Sequence, residues 1–214
     1  MYTQPAFRMD EDSDMAAFIE ARQFATLSVS GDDGPLAAHV PMILLRDAAG
    51  RVTALEGHVG KGNPVAAQTP SNGKALAIFN GADAYVTPSL YLSKREHGRV
   101  VPTWNYIAVQ VRGRLETFSG EALRSHVEAL TSMMESDAAV PWAVSDAPED
   151  YLAKMLNAII GVRLTVESIE GARKLNQNRS EADRTGVQLG FSHSPHASAR
   201  DLAAEMSAEF SKEA

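Results

Sequence analysis

The sequence predicts a mainly β chain with flanking helices, an α+β fold built on an antiparallel barrel. Three observations predict it. Two long stretches alternate strictly between apolar and polar residues. In one, Ile107, Val109, Val111 and Leu115 alternate with Tyr106, Gln110, Arg112 and Arg114; in the other, Ile160, Val162, Leu164 and Val166 face Arg163, Thr165 and Glu167. Six or seven strands follow one another with short turns, and helices enter only late. Helices and strands never alternate regularly, which argues against a doubly wound nucleotide fold.

In chain order, Met15, Phe18 and Ile19 fall at helical spacing behind the candidate cap Asp12 and predict a helix over 13–22. A strand follows from Phe24 to Ser30, closed by the turn Gly31-Asp32-Asp33-Gly34. The next strand is expected from Leu36 to Arg46 and a third from Val52 to about Gly57. Two short strands are expected at 74–79 and 84–87. Between the two long strands, a helix after Ser119 carries Leu123, Val127, Leu130 and Met134 at core spacing. A second begins at Asp146, where Asp146-Ala147-Pro148-Glu149 has the form of a capping box, and carries Leu152, Met155, Leu156 and Ile159. A further helix is expected to begin near Ser180, and a last one over 198–213 has Leu202, Met206 and Phe210 as its stripe. The expected organisation is one domain over 1–190, with inserted helices at about 119–158, followed by a helical tail over 191–214.

The chain has 214 residues, 44% of them hydrophobic, which is too apolar for a disordered polymer and enough for a sizeable core. It has no cysteine, so disulfides, thiolate metal sites and a cysteine nucleophile are excluded. The most apolar stretch, near Val40 to Leu45, is far short of the ~18 residues a membrane span needs and contains Pro41. Asp10, Glu11, Asp12 and Asp14 stand where a signal peptide would carry bases. The expected compartment is the cytoplasm.

The net charge of −7 is unevenly placed. Residues 1–40 carry seven acids and two bases, residues 41–114 four acids and nine bases, and residues 115–170 ten acids and three bases. The remainder balances, with Arg173, Lys174, Arg179 and Arg184 at its front. An acidic chain with a basic middle is a poor nonspecific DNA binder, but it suits a small anionic ligand.

Three segments could hold such a ligand. In Gly57-His58-Val59-Gly60-Lys61-Gly62-Asn63-Pro64 a strand ends among glycines and Asn63-Pro64 can open a helix. Unpaired amides at a helix start accept phosphate, Lys61 adds a charge and His58 a donor. Spacing alone leaves this open between a phosphate cradle and an ordinary strand-to-helix connection, and favours the latter. It is not a Walker A loop, which needs Gly-x4-Gly-Lys-Ser/Thr. The second segment joins Tyr85 to Tyr91 with Val101-Pro102-Thr103-Trp104-Asn105-Tyr106; its aromatics, hydroxyls and amide suit a flat heterocycle, although aromatics more often just fill barrel ends. The third, Arg173 to Arg179, is dense in donors, and as an isolated stretch reads more readily as a solvated basic turn.

Other candidates are weaker. His39 lies within a strand and reads as structural, and His97 and His126 as surface residues. His193-Ser194-Pro195-His196 reads as a tail loop, since no acids accompany the two imidazoles. No serine sits in a Gly-x-Ser-x-Gly elbow, and Glu149-Asp150 belongs to a helix start.

Six motifs in order resemble the PaiB-type FMN-binding negative transcriptional regulators. They are Ala37-Ala38-His39-Val40-Pro41, Gly57-His58-Val59 with Asn63-Pro64, Ala84-Tyr85 with Pro88-Ser89, Val101-Pro102-Thr103-Trp104-Asn105-Tyr106, Pro141-Trp142 with Asp146-Ala147-Pro148, and Lys174-Leu175 with Gln177-Asn178-Arg179. The resemblance covers nearly the whole chain, to about Gly190. It implies an FMN-binding split barrel that forms a homodimer with FMN at the interface. It also implies site residues: His39, Val40, Pro41 and Met42 along the isoalloxazine ring; His58, Val59, Lys61, Asn63 and Pro64 at the phosphate; Thr103, Trp104 and Asn105 at the ring or ribityl chain; and Gln177, Asn178 and Arg179 reaching in from the partner subunit. No metal is expected. The chain departs from the family pattern in Gly60-Lys61-Gly62, where Ala-Arg-Ala is common, at Leu90, where tryptophan is usual, and at Asn176, where serine is usual. An alternative within the same barrel is a flavin-dependent oxidoreductase, either an NAD(P)H-flavin reductase or a pyridoxine-phosphate-oxidase-like enzyme. No positioned acid, base or nucleophile is visible for it, so its redox step would belong to the flavin.

Overall fold

The computed structural model describes residues 1–67 and 73–211. Its strands are β1 (Arg8–Met9), β2 (Phe24–Gly31), β3 (Gly34–Pro41), β4 (Ile43–Arg46), β5 (Val52–Gly60), β6 (Lys74–Val86), β7 (Thr103–Phe118) and β8 (Ile159–Lys174). Its helices are α1 (Asp12–Arg22), α2 (Pro64–Ala67), α3 (Lys94–His97), α4 (Glu121–Met134), α5 (Glu149–Ala158), α6 (Glu181–Ser192) and α7 (Ala197–Phe210). The sheet runs β3-β2-β6-β7-β8-β5-β4, with β1 added against β8. Every register that can be followed is antiparallel. The path ends at β3 and β4 and is not closed. Among the described residues no helix is long and apolar enough to cross a membrane.

The strand expected over 36–46 is two strands. Pro41 has no amide to continue the ladder, and the Met42 amide donates to Gln23 O at 2.8 Å. The chain therefore changes partner here: Phe24 pairs with Pro41 in β2–β3, and Ile43 with Glu56 in β4–β5. The two short strands expected at 74–79 and 84–87 are one, β6. Its buried positions pass from odd (Ala77, Phe79) to even (Ala82, Val86) across Asn80-Gly81, which disguised its continuity in the sequence. The box expected at Asp146 is displaced: its carboxylate accepts from Ala143 N at 2.9 Å, and α5 starts at Glu149 behind Pro148. Ser180, by contrast, caps α6 through Asp183 N, as the sequence suggests. Lys212 and Glu213, within the expected last helix, lie outside the described residues.

The chain divides into two compact units. The first comprises Met1–Met15, Asn80–Val109 and Glu170–Ala214; the second comprises Ala16–Phe79 and Gln110–Ile169. In the first, α6 and α7 bury Val187, Phe191, Leu202 and Met206. Gly186 and Gly190 let Leu90 lie directly on α6. A Cβ on Gly186 would stand 2.3 Å from Leu90 O, and one on Gly190 2.3 Å from a Leu90 methyl. In the second unit the core is built from alternate residues of β2, such as Leu27 and Val29, with Ala54 and Leu55 of β5 and Leu123 and Leu130 of α4.

Candidate functional site

The structure brings the expected site residues together in two groups, one in each unit. In the second unit β5 runs three residues further than expected, so His58 and Val59 lie on a strand and the loop begins at Lys61. Gly57 packs against the turn after β3. A Cβ there would lie 2.6 Å from Val40 Cγ1 and 2.8 Å from Pro41 O, so glycine is what allows these two segments to touch. Val40 and Met42 are fully buried and Val59 nearly so. His39 is exposed on the edge strand β3, where it contacts Thr26 Oγ1 at 3.2 Å and stacks on Phe24.

The loop itself is largely self-satisfied. The Lys61 amide donates to Ala158 O (2.9 Å) and that of Asn63 to Gly60 O (2.9 Å), while Asn63 Oδ1 accepts from Val65 N (3.0 Å). Pro64 has no amide to offer. What remains for an anion is the exposed Lys61 ammonium, which makes no ion pair among the described residues, and the Gly62 amide, which has no partner among them. Among the described residues a Cβ on Gly60 or Gly62 would meet nothing within 4 Å, so there is open space at both glycines.

Behind this loop lies a chain of ionisable groups. The buried Glu56 carboxylate accepts from Arg163 Nε at 2.5 Å. Its other oxygen stands 3.6 Å from His126 Nδ1, and His126 Nε2 is 3.2 Å from His58 Nδ1. The sequence placed His126 at the surface, but α4 turns it inward against β5, where it is 3% exposed with the edge of Phe118 against its ring. At 3.6 Å the Glu56 carboxylate makes a charge contact and no hydrogen bond with His126 Nδ1; a proton on Nδ1, facing that acceptor, is the favoured tautomer of the neutral ring. Its Nε2 then accepts from His58 Nδ1–H and leaves His58 Nε2 bare. In that tautomer His58 presents an acceptor at Nε2, where its place in the sequence suggests a donor to phosphate. Burial holds both imidazoles below their ordinary value; for His126 the neighbouring His58 adds to the effect and Glu56 opposes it.

The second group lies in the first unit. Thr103 Oγ1 accepts from Lys174 Nζ at 2.7 Å, and the fully buried Asn105 donates to Asn176 Oδ1 at 2.5 Å. Asn176 in turn donates to Tyr91 OH at 3.0 Å, and Arg179 lies over the Tyr91 ring. Asn176 has φ 68°, a left-handed conformation that asparagine tolerates better than most residues. Burial lowers the Lys174 pKa, and its ammonium makes no ion pair among the described residues. Gln177 is committed to its own loop, accepting from Leu175 N (2.7 Å) and donating to Arg173 O (2.5 Å), while Asn178 is exposed. Asp183 closes the loop by accepting from Ser93 N and Oγ at 2.9 and 2.7 Å. Burial would raise its pKa, but these bonds and the Arg179 charge outweigh burial and hold it below the usual value. Trp104 does not join this group. Strand side chains alternate, and its indole lies on the other face of β7, donating to Asp83 Oδ1 at 2.8 Å.

The residues present fit FMN at the Lys61–Gly62 corner, where a cation, an unpaired amide and open space coincide; the chemistry required is that of a phosphate site. Sequence reasoning named Lys61 there. It missed His126 and Glu56, which no local pattern marks.

Comparisons with known proteins bear on the family and the fold. Residues 1–168 match a family described as "Putative FMN-binding domain". Over its full length the chain is 29% identical to the whole of protease synthase and sporulation protein PAI 2 of Bacillus subtilis. It is 32% identical over 185 residues to an uncharacterised protein of Emericella nidulans, covering 72% of this chain and 74% of that one. Among solved structures, the flavocytochrome Anf3 of Azotobacter vinelandii superposes with a TM-score of 0.58 at 14% identity, covering 86% of this chain and 78% of that one. A FAD and haem binding protein of Mycobacterium smegmatis gives 0.57 at 16% identity, covering 83% and 78%. These structures share the fold, a split barrel whose sheet stays open here, and with the match over 1–168 they show that the chain belongs to the FMN-binding domain family.

Proposed function

We propose that the chain is a homodimeric FMN-binding protein that holds the flavin phosphate at Lys61 and Gly62. The observation that carries this reading is the Lys61 ammonium, without an ion pair among the described residues and next to an unpaired amide and open space. Pro41, whose carbonyl packs against Gly57, would give the ring a backbone surface, and His58 Nε2 would accept from a ribityl hydroxyl. Thr103 would line the ring or ribityl chain and Arg179 would reach in from the partner subunit, as the resemblance to PaiB-type proteins implies. When bound, the isoalloxazine ring supplies a reversible redox centre. The Glu56–His126–His58 chain would hold the imidazole in its accepting tautomer.

The likeness to PAI 2 extends the reading to a regulatory role exerted through a protein or metabolite rather than by direct DNA contact. Support comes from the acidic surfaces of α4 and α5, with Glu121, Glu128, Glu149 and Asp150 all exposed. The purified protein should release flavin on denaturation or take up added FMN, and should elute as a dimer by light scattering. Lys61→Ala should weaken FMN binding by about tenfold, on the order of one lost charge-assisted contact. A colourless protein that also fails to bind added FMN overturns the reading.

A further inference from the structure

The first unit contains a cavity of about 620 Å³ that shares no residue with the Lys61 corner. This volume lies within the usual range for small-molecule sites. Its walls include Tyr85, Leu90, Trp104 and Phe191, with Asp83 and His193 among its polar members. The Tyr85 and Trp104 rings lie 6.0 Å apart, tilted by 58°, and each is about half exposed, a large aromatic area left facing solvent.

The wall is held in place rather than loosely arranged. Trp104 Nε1 donates to Asp83 Oδ1, which fixes the edge of the indole. The backbone of Asp83 is clasped in turn by Ser198: its amide donates to Ser198 Oγ, and that hydroxyl donates to Asp83 O, both at 2.8 Å. Leu90 cannot shift toward α6, because it already lies against Gly186 and Gly190.

Two of the polar members, His193 and Asp83, present acceptors, beside the mixed donors and acceptors Thr87, Ser194 and His196. His193 Nδ1 stands 2.9 Å from Leu189 O, and a carbonyl only accepts, so the proton of the neutral ring is on Nδ1 and Nε2 is bare. Asp83 has only acceptor oxygens to offer. Arg200 donates to the carbonyl of Ser194, another lining residue, and places a positive charge beside the cavity to balance that of Asp83. An aromatic wall edged by the acceptors Asp83 and His193 Nε2 suits a flat ring that donates hydrogen bonds.

We propose that this cavity binds a neutral planar heteroaromatic compound bearing ring N–H groups, stacked on the Tyr85–Trp104 wall and donating to Asp83 or His193. The probe is indole, compared with 1-methylindole, which has nearly the same shape but no donor. Binding is followed by the side-chain N–H signals of the two tryptophans, with Trp142→Phe assigning them. Indole should shift the Trp104 signal saturably and leave that of Trp142 in place. 1-Methylindole should bind about fivefold more weakly, the effect of one hydrogen bond. His193→Phe should narrow that difference, whereas Tyr85→Ala should weaken both probes together. Saturating FMN should leave indole binding unchanged. Equal affinity for the two probes, no saturable shift at Trp104, or displacement of indole by FMN would each overturn the proposal. The two indole measurements can be made whether or not the protein takes up flavin.

Discussion

In the second unit, Arg163, Glu56, His126 and His58 carry polarity from β8 to the Lys61 loop through a guanidinium, a carboxylate and two imidazoles. In the first unit, Asn105, Asn176 and Tyr91 bury a comparable network of two amides and a phenol, linked at 2.5 and 3.0 Å. The first arrangement responds to charge and pH, whereas the second depends on geometry alone. One chain thus builds a switchable surround for His58 and a fixed frame beside Thr103. The difference follows from which residues can pair: a carboxylate needs a cation or a donor to stay buried, while two amides bond without charge, here leaving Asn105 Oδ1 without a partner among the described residues.

Breaking the charged network should cost most. Arg163→Leu strands the buried Glu56 carboxylate and should destabilise the protein by about 3 kcal/mol in urea unfolding, the low end for a buried pair because the Arg163 side chain is 42% exposed. Adding Glu56→Leu should recover most of that loss, since the pair can be replaced by packing. If the single substitution costs under about 1 kcal/mol, the pair is not the buried bridge described here.

Asn176→Ala comes next, at about 2–3 kcal/mol, because it leaves the buried amide of Asn105 and the Tyr91 hydroxyl without partners. Its cost should be the same at pH 5.5 and 8, unlike effects in the charged chain.

The pH dependence sharpens the contrast. His58 and His126 have folded-state values depressed below the ordinary 6.5. The folded protein therefore binds fewer protons than the unfolded one, and stability from these groups is complete above 6.5 and lost as pH falls toward the folded values. His126→Phe should flatten the stability profile in that window. An unchanged acid limb in this variant would mean that the imidazoles do not titrate as a chain. The smallest effect belongs to Lys61→Ala, expected to change stability by no more than about 0.5 kcal/mol, as for an exposed side chain without an ion pair.

Much of the frame was legible before any coordinates. The alternation through Ile107–Leu115 and Ile160–Val166 marks β7 and β8, although both run longer, to Thr103 and to Lys174. Asp12 and Ser180 mark the starts of α1 and α6. What could not be read was any feature that depends on a distant neighbour. Pro41 splits a strand because Met42 finds a partner in Gln23. Met134 and Met155 sit on good helical stripes but stay exposed, since periodicity shows which face is apolar and not whether anything covers it.

By itself, then, the sequence determined the strand periods, the caps, the absence of thiol chemistry and the basic middle that carries Lys61, because these depend on residue type and near neighbours. Only the tertiary structure decided that His126 lies buried between Glu56 and His58, that Trp104 turns away from Thr103 and Asn105, and that Gln177 is committed to its own loop. Each of those outcomes is a contact between side chains far apart in the chain or on opposite faces of a strand. The bonds such partners leave open, more than residue type, set what a histidine or an amide can do.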